Sequence, residues 1–465
     1  MPEPLALVPG DSLGPFRLGS ALFNVLNHVR SFRSTYPAVK VAWDEQAPST
    51  SPIHLTLSSP PLHLTFSALS QRLARLEVRG PDPAACVSYR GKRLRADDAS
   101  SDDDVDVVKT VRRVLGPTYG SSSASASARS EGAHGGEEEV LSYPGVAFGV
   151  VRTASGSTMS RIVVTALPAP EGIPVDQAWL HPALPDSPAV AQGDLRVAEI
   201  HLDPSRHPTH VELHFHAPQS ALAPVELHIG ETTSEDILCE LGAAVRTFWK
   251  EDDRLSIHTA SLGPRSSSDT ALEPNPYFLS YPHVGLTLLL SSAPTPSTSP
   301  SPSPSTSTSP STAQHPHPLT IPPHTLLKVL LHSNLPGEVQ FGRTARARGV
   351  LVAPGAGAGA GAGAVEKEGA VMGLEEGWDS VRGFLRGEAA GGRAAAAAGQ
   401  GGTTRRAAEA ELGVGVGVGD EPPMILDRTA DGKDGVRGKT TEIHGLPGIA
   451  LEVTGTGDIE TVWLF

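Results

Sequence analysis

The chain has 465 residues, enough for two or three ordinary domains, but 48 Gly and 42 Pro against 5% aromatic residues confine its apolar content to short blocks. A formal charge of -14 opposes nucleic acid and anionic lipid as partners of the overall field. Cys86 and Cys239 lie far apart and outside any CxxC or Cys/His spacing, which excludes a disulfide framework or a cysteine zinc site and fits a reducing compartment. No stretch approaches the ~20 apolar residues of a membrane span, and MPEPLALVPGDSLG lacks the basic and apolar regions of a secretory signal. A cytoplasmic protein without a transmembrane segment is expected.

In chain order, Leu18, Leu22, Val25, Leu26 and Val29 mark one face of a first helix, preceded by Gly19-Ser20 as a start signal. PPLHLTF (Pro60 to Phe66) and RLARLEV (Arg72 to Val78) follow as alternating strands. Val108, Val111, Val114 and Leu115 predict a second helix, stopped by Gly116-Pro117, and the strands PGVAFGV (Pro144 to Val150) and MSRIVVT (Met159 to Thr165) come after it. VAEIHL, HVELHF and VELHIG between Leu195 and Ile229 read as further strands, expected to extend a sheet between the two halves. Thr233, with Asp236 three residues on, announces a third helix on Ile237, Leu238 and Leu241, followed by PHVGLTL (Pro282 to Leu288) and TLLKVLLH (Thr325 to His332). Trp378, Val381, Phe384 and Leu385 predict the fourth helix, and PGIALEV (Pro447 to Val453) and IETVWLF (Ile459 to Phe465) end the series.

The pattern is an α+β array of four helix-plus-antiparallel-strand units, each too small to close a core alone. Each leading proline suits the first residue of a strand, where its missing N–H is tolerated. Low-complexity tracts interrupt the array as expected disordered insertions: 121–139, the Pro/Ser/Thr-rich 291–319, the Gly/Ala linker 351–370, and 389–419. The ordered parts are then 1–120, 140–194, 195–290, 320–350 and 371–465, with 195–290 holding the central strands and the third helix.

Gly10-Asp11-Ser12-Leu13-Gly14 matches the opening motif of a serine esterase, with Ser12 as nucleophile. Pro9 before it and Gly14-Pro15 after it oppose the strand-to-helix elbow that such a serine needs, and no Asp-x-x-His follows near the end. His201, His207, His210, His214 and His216 cluster in the central strands. His214 and His216 share a face and could hold zinc if Glu212 or His210 turned in, but Val211, Leu213 and Phe215 take the buried register, so a solvated face is the plainer reading. The acids Asp97, Asp98, Asp102, Asp103, Asp104 and Asp106 lack calcium-loop spacing and suit the second helix's N-terminus. Arg343, Arg346 and Arg348, like Arg90, Lys92, Arg93 and Arg95, read as exposed loop charge. No catalytic group, cofactor site or metal site is assigned. A contact site is expected, if anywhere in particular, on the turn Ser333, Asn334, Leu335, Pro336 and Gly337, which otherwise is a strand-end turn stabilised by Asn334 and Pro336-Gly337.

FRLGSALFNVLNHV, VKVAWDEQAP, LHLTF and SQRLARLEV, then LHIGETTSEDILCELG, TFWKEDDRLSIH, YFLSYPHVGLTLLL, KVLLHSNLPG, MILDRT and GLPGIALEV, resemble the phagosome assembly factor family. The likeness covers Leu5 to Val78, Val225 to Leu290, His324 to Phe341 and Pro422 to Phe465, and is poor from Ser121 to Asp194. It implies a non-enzymatic autophagy adaptor that pairs with a WD-repeat propeller protein and joins it at the phagophore assembly site. It further implies that phosphoinositide membrane is met largely through that partner. A serine esterase using Ser12 and a protein that binds phosphoinositide or lipid directly are the alternatives.

Overall fold

The computed structural model describes residues 4–94, 107–117, 121–123, 138–153, 156–166, 194–216, 223–250, 276–292, 324–354, 370–387, 423–427 and 440–465. Two compact units emerge: unit 1 takes 1–194, 215–221 and 334–346, and unit 2 takes 195–214, 222–333 and 347–465.

Unit 1 opens with β1 (Leu5–Val8), β2 (Ser12–Leu13) and β3 (Phe16–Arg17), then α1 (Leu22–Ser31). A four-stranded meander follows: β4 (Val39–Ala42), β5 (Ile53–Leu57), β6 (Leu62–Phe66) and β7 (Leu73–Arg79). After β8 (Val87–Tyr89), β9 (Lys92–Arg93) and α2 (Val107–Leu115) comes a second meander: β10 (Ser121–Ser123), β11 (Glu138–Tyr143), β12 (Val146–Thr153) and β13 (Gly156–Thr165). The meanders join through their last strands, Ile162 opposite Val78, into one eight-stranded sheet of order β10-β11-β12-β13-β7-β6-β5-β4. The short strands form a five-stranded sheet, β3-β2-β1-β8-β9, in which β1 and β8 are parallel.

Unit 2 repeats this order element for element: β14 (Leu195–Leu202), β15 (Pro208–Phe215), β16 (Val225–His228), α3 (Ser234–Leu241), β17 (Arg246–Trp249), β18 (Tyr277–Tyr281), β19 (Leu286–Leu290), β20 (Leu326–His332), β21 (Gly349–Val352), β22 (Val371–Gly373), α4 (Trp378–Leu385), β23 (Met424–Asp427), β24 (Thr440–Leu446), β25 (Ile449–Val453) and β26 (Ile459–Leu464). Its sheets run β16-β15-β14-β21-β22 and β17-β18-β19-β20-β26-β25-β24-β23, which are the unit 1 orders with thirteen added to every strand. The parallel pair recurs as β14 and β21.

The fold is therefore α+β, strand-rich, with four helix-and-meander copies paired two by two. Each copy has four strands where the sequence reading found two, because only the last two carry the Pro-led alternation. The leading prolines sit in turns rather than opening strands: β12 begins at Val146 after Pro144-Gly145, and β25 at Ile449 after Pro447-Gly448. Gly145 needs its left-handed φ of 77° and also its missing Cβ, which would strike the Gly10 backbone whose N–H bonds Gly145 O at 3.0 Å. The strands between Leu195 and Ile229 form unit 2's own five-stranded sheet with β21 and β22 instead of extending a sheet between the halves.

The helices bury one face each. Leu22, Val25, Leu26 and Val29 of α1 and Val108 and Val111 of α2 pack into a single core with Leu13, Leu55, Leu64, Phe66, Phe148 and Ile162. Each such fully buried side chain contributes roughly 1.5–3 kcal/mol. Thr233 and Asp236 close the expected capping box on α3, Thr233 N donating to the Asp236 carboxylate at 2.9 Å and Asp236 N to the Thr233 hydroxyl at 3.3 Å. Two local readings are corrected. The residue capping α1 is Ala21, without a side-chain bond, and Leu238 of α3 stands 57% exposed, since the helix buries Ile237 and covers Leu241 only in part.

Candidate functional site

The predicted turn begins where β20 ends. Ser333 N donates to Glu460 O at 2.8 Å, and Ser333 to Pro336 are all buried, with Gly337 partly open. Asn334 takes a left-handed φ of 49°, a conformation asparagine tolerates better than most residues. Its Nδ2 donates to Gln71 Oε1 at 2.7 Å, Gln71 Nε2 returns a bond to Asn334 O at 2.9 Å, and Gly342 N donates to Asn334 Oδ1 at 2.6 Å. Residues 334–346 belong to unit 1 and are clamped further along. Arg30 Nη1 donates to Gly342 O at 2.7 Å, Arg346 Nη1 donates to Ser49 O at 3.1 Å and to Ala68 O at 2.6 Å, and Phe341 packs against the core and Trp43. Of the three arginines read as loop charge, only Arg343 is exposed. Arg346 is spent on those carbonyls and Arg348 on Glu375 at 3.0 Å, since a segment with few apolar residues is held by its cations.

The chemically richest group lies on β14 and β15. Alternation turns Val211 and Leu213 into the core and leaves His210, Glu212 and His214 together on the other face. Glu199 and His201 of β14 share that face, between the buried Ala198, Ile200 and Leu202. His201 Nε2 and His210 Nε2 each stand 3.5 Å from Glu212 Oε1, and His214 Nε2 stands 3.5 Å from both Glu212 Oε2 and Glu199 Oε1. Glu199 Oε2 lies 3.8 Å from His201 Nε2. The His201, His210 and His228 rings stack in sequence across three strands, at 4.5 and 5.0 Å. Two donor sets thus share Glu212: His201, His210, Glu212, and Glu199, Glu212, His214.

The sequence pairing of His214 with His216 is replaced, because His216 lies just past the end of β15, where its N–H bonds Asp194 O at 2.9 Å. Glu212 stands beside His214 and Glu199, whereas His210 stands with His201 and Glu212 and not with the His214–His216 pair. His201 was missed as their partner, since it comes from the neighbouring strand. His207 sits on the connecting turn, its N–H held by Asp203 at 2.9 Å. Ser12 lies in β2, opposite Val8 of β1 and Arg17 of β3, so its turn leads into a strand and not into a helix. Arg90, Lys92 and Arg93 belong to the β8–β9 hairpin, while Arg95 and the acids from Asp97 to Asp106 lie outside the described residues. Cys86 and Cys239 are both free thiols, and burial together with Asp82 pushes the Cys86 thiol above its usual pKa.

These features define an internally duplicated α+β protein whose polar chemistry gathers on one sheet of its second unit. The chain belongs to the phagosome assembly factor 1 family, whose model matches residues 12–294 and 320–465. The match runs across Ser121 to Asp194, where the sequence resemblance was poor. Neither a curated protein nor a solved structure matches the chain.

Proposed function

We propose that this protein is a non-enzymatic adaptor in autophagy that acts with a WD-repeat propeller protein at the phagophore assembly site. The observation that carries the reading is the family match, which spans nearly the whole chain and names an assembly factor. No helix among the described residues is long and apolar enough to cross a membrane, so a partner supplying the membrane contact fits the reading. The acidic balance of the chain points the same way, since it opposes direct attraction to anionic lipid.

Four of the exposed large apolar side chains lie on the two edge strands of unit 2's long sheet, and such edges suit a protein partner. Phe248 and Trp249 on β17 are 46% and 58% exposed, and Met424 and Ile425 on β23 are 65% and 68% exposed. In the Ser333–Gly337 turn only Gly337 is partly open, so a partner contact there would fall on Gly337, with the buried four holding it. The test is affinity purification from fed and starved native cells, followed by mass spectrometry. A stoichiometric WD-repeat propeller protein, accompanied on starvation by phagophore components, is the expected result. Recovery of the chain alone in both conditions overturns it.

A further inference from the structure

We propose that the polar face of β14 and β15 binds a divalent transition-metal cation of the zinc class, held by His201, His210 and Glu212. Glu212 and Glu199 extend the donor set to His214.

Four imidazole-to-carboxylate distances of 3.5 Å fall outside the 2.7–3.2 Å range of good hydrogen bonds. They are close to the tetrahedron edge of about 3.3–3.4 Å that follows from metal–ligand bonds of about 2.0–2.1 Å. Nε2 of His201 and of His214 are shut off from solvent and make no hydrogen bond. A ring nitrogen shut off from solvent with no hydrogen bond costs free energy, and a cation between it and the carboxylates removes that cost.

The ring orientations suit coordination. The Thr209 hydroxyl donates to His201 O at 3.1 Å, so its oxygen is left to accept from His210 Nδ1 at 3.0 Å, which places the proton on Nδ1 and leaves the Nε2 lone pair facing Glu212. Both Glu212 oxygens point at imidazoles, Oε1 toward His201 and His210 and Oε2 toward His214, as in a carboxylate that spans a donor set. Two histidines and one carboxylate make a borderline-soft set that favours zinc-like ions over calcium or magnesium and leaves a fourth position open. The next groups along the face are acidic: Glu226 lies 3.2 Å from His228 Nε2, and Glu226, Glu231, Asp236 and Glu240 line the adjoining groove. That field favours a cation.

Unit 1 provides the internal control. The strands at the corresponding places, β1 and β2, read LALV and SL and carry neither histidine nor carboxylate. The duplicated architecture therefore forms without this cluster, and the cluster requires a reason of its own.

The experiment uses the full chain without a histidine tag, stripped by chelator, and titrated with zinc against a chromogenic competitor. Wild type is expected to bind one or two equivalents and to melt at a higher temperature with zinc than without. His201→Asn/His210→Asn and Glu212→Gln are expected to lose affinity by roughly 10–100-fold or more. His207→Asn, altered on the neighbouring turn, should bind as wild type. Circular dichroism of the metal-free variants checks folding, and Glu212→Gln alone keeps the test decisive if the double variant fails to fold. Wild type without zinc binding above the level of a histidine-free carrier protein, or variants that bind as tightly as wild type, overturns the proposal.

Discussion

Asn334 and Gln71 lie 263 residues apart in the chain, yet the Asn334 amide donates to Gln71 Oε1 and the Gln71 amide donates back to the Asn334 main-chain carbonyl, in a site that is 3% and 2% exposed. Both residues take a left-handed φ of 49°, so the surrounding bonds hold their backbones in place as well as their side chains. Replacing either by Ala leaves a buried donor or acceptor unpaired and should lower stability by about 1–3 kcal/mol. Chemical denaturation checks this, and the double variant should cost less than the sum of the two singles because the pair is lost only once. The turn at Asn334 was legible in SNLPG; Gln71 carried no signal, because hydrogen-bond partners distant in sequence leave no local pattern. The same holds for His201 beside His210. Alternation placed His210, Glu212 and His214 on one face, but which residues of a second strand stand opposite depends on register.

At the scale of elements, the face of β5, β6 and β7 turned away from the apolar core carries a polar lattice that includes the buried Thr65 and Glu77. His54 Nδ1 is 3.3 Å from Thr65 Oγ1, and His63 Nδ1 is 3.2 Å from Thr56 Oγ1. Burial first, and then the Arg75 guanidinium, hold the His54 imidazole below its ordinary pKa of 6.5. Burial and then Arg79 do the same to His63, against an opposing pull from Glu77. Both rings are favoured neutral in the folded state, whereas the unfolded chain takes up protons as the pH falls below about 6.5. This contribution to stability is therefore present above that pH and is lost progressively below it, toward the folded pKa values. Thermal melts between about pH 7.5 and 5 should show the decline, and His54→Gln/His63→Gln should flatten it. The slope is expected to be modest, since His54 keeps an exposed edge. The helices of these elements followed from apolar spacing, but Leu238 shows the limit. Three apolar residues on a short helix suggest a buried stripe, and the packing buries Ile237, half-covers Leu241 and leaves Leu238 exposed.

For the whole molecule, the duplication sets what can be altered. In unit 2 the long Pro/Ser/Thr run falls between hairpin partners β19 and β20, whose bases are tied by Ser291 N to Thr325 O at 2.9 Å and His324 N to Ser291 O at 3.1 Å. The run lies outside the described residues. Replacing Ala293 to Pro318 by a short Gly-Ser linker should change stability by roughly 1 kcal/mol or less, because closure entropy varies only slowly with loop length. Urea unfolding of the shortened chain measures it, and a large loss would mean that the run itself contributes packing. The partner experiment proposed above belongs to this scale too, since adaptor function resides in surfaces that a single chain does not reveal.

The sequence by itself determined the four apolar helices, the strand pair closing each copy, the third helix's capping box and the family. All of these rest on residues near one another, where side-chain periodicity and local hydrogen bonding leave a readable pattern. Only the tertiary structure decided that each copy has four strands, that copies pair through their last strands, and that the whole thirteen-strand order occurs twice. It alone joined Gln71 to Asn334 and His201 to His210 and Glu212, because side chains brought together by strand register and sheet order are neighbours in space without being neighbours in sequence.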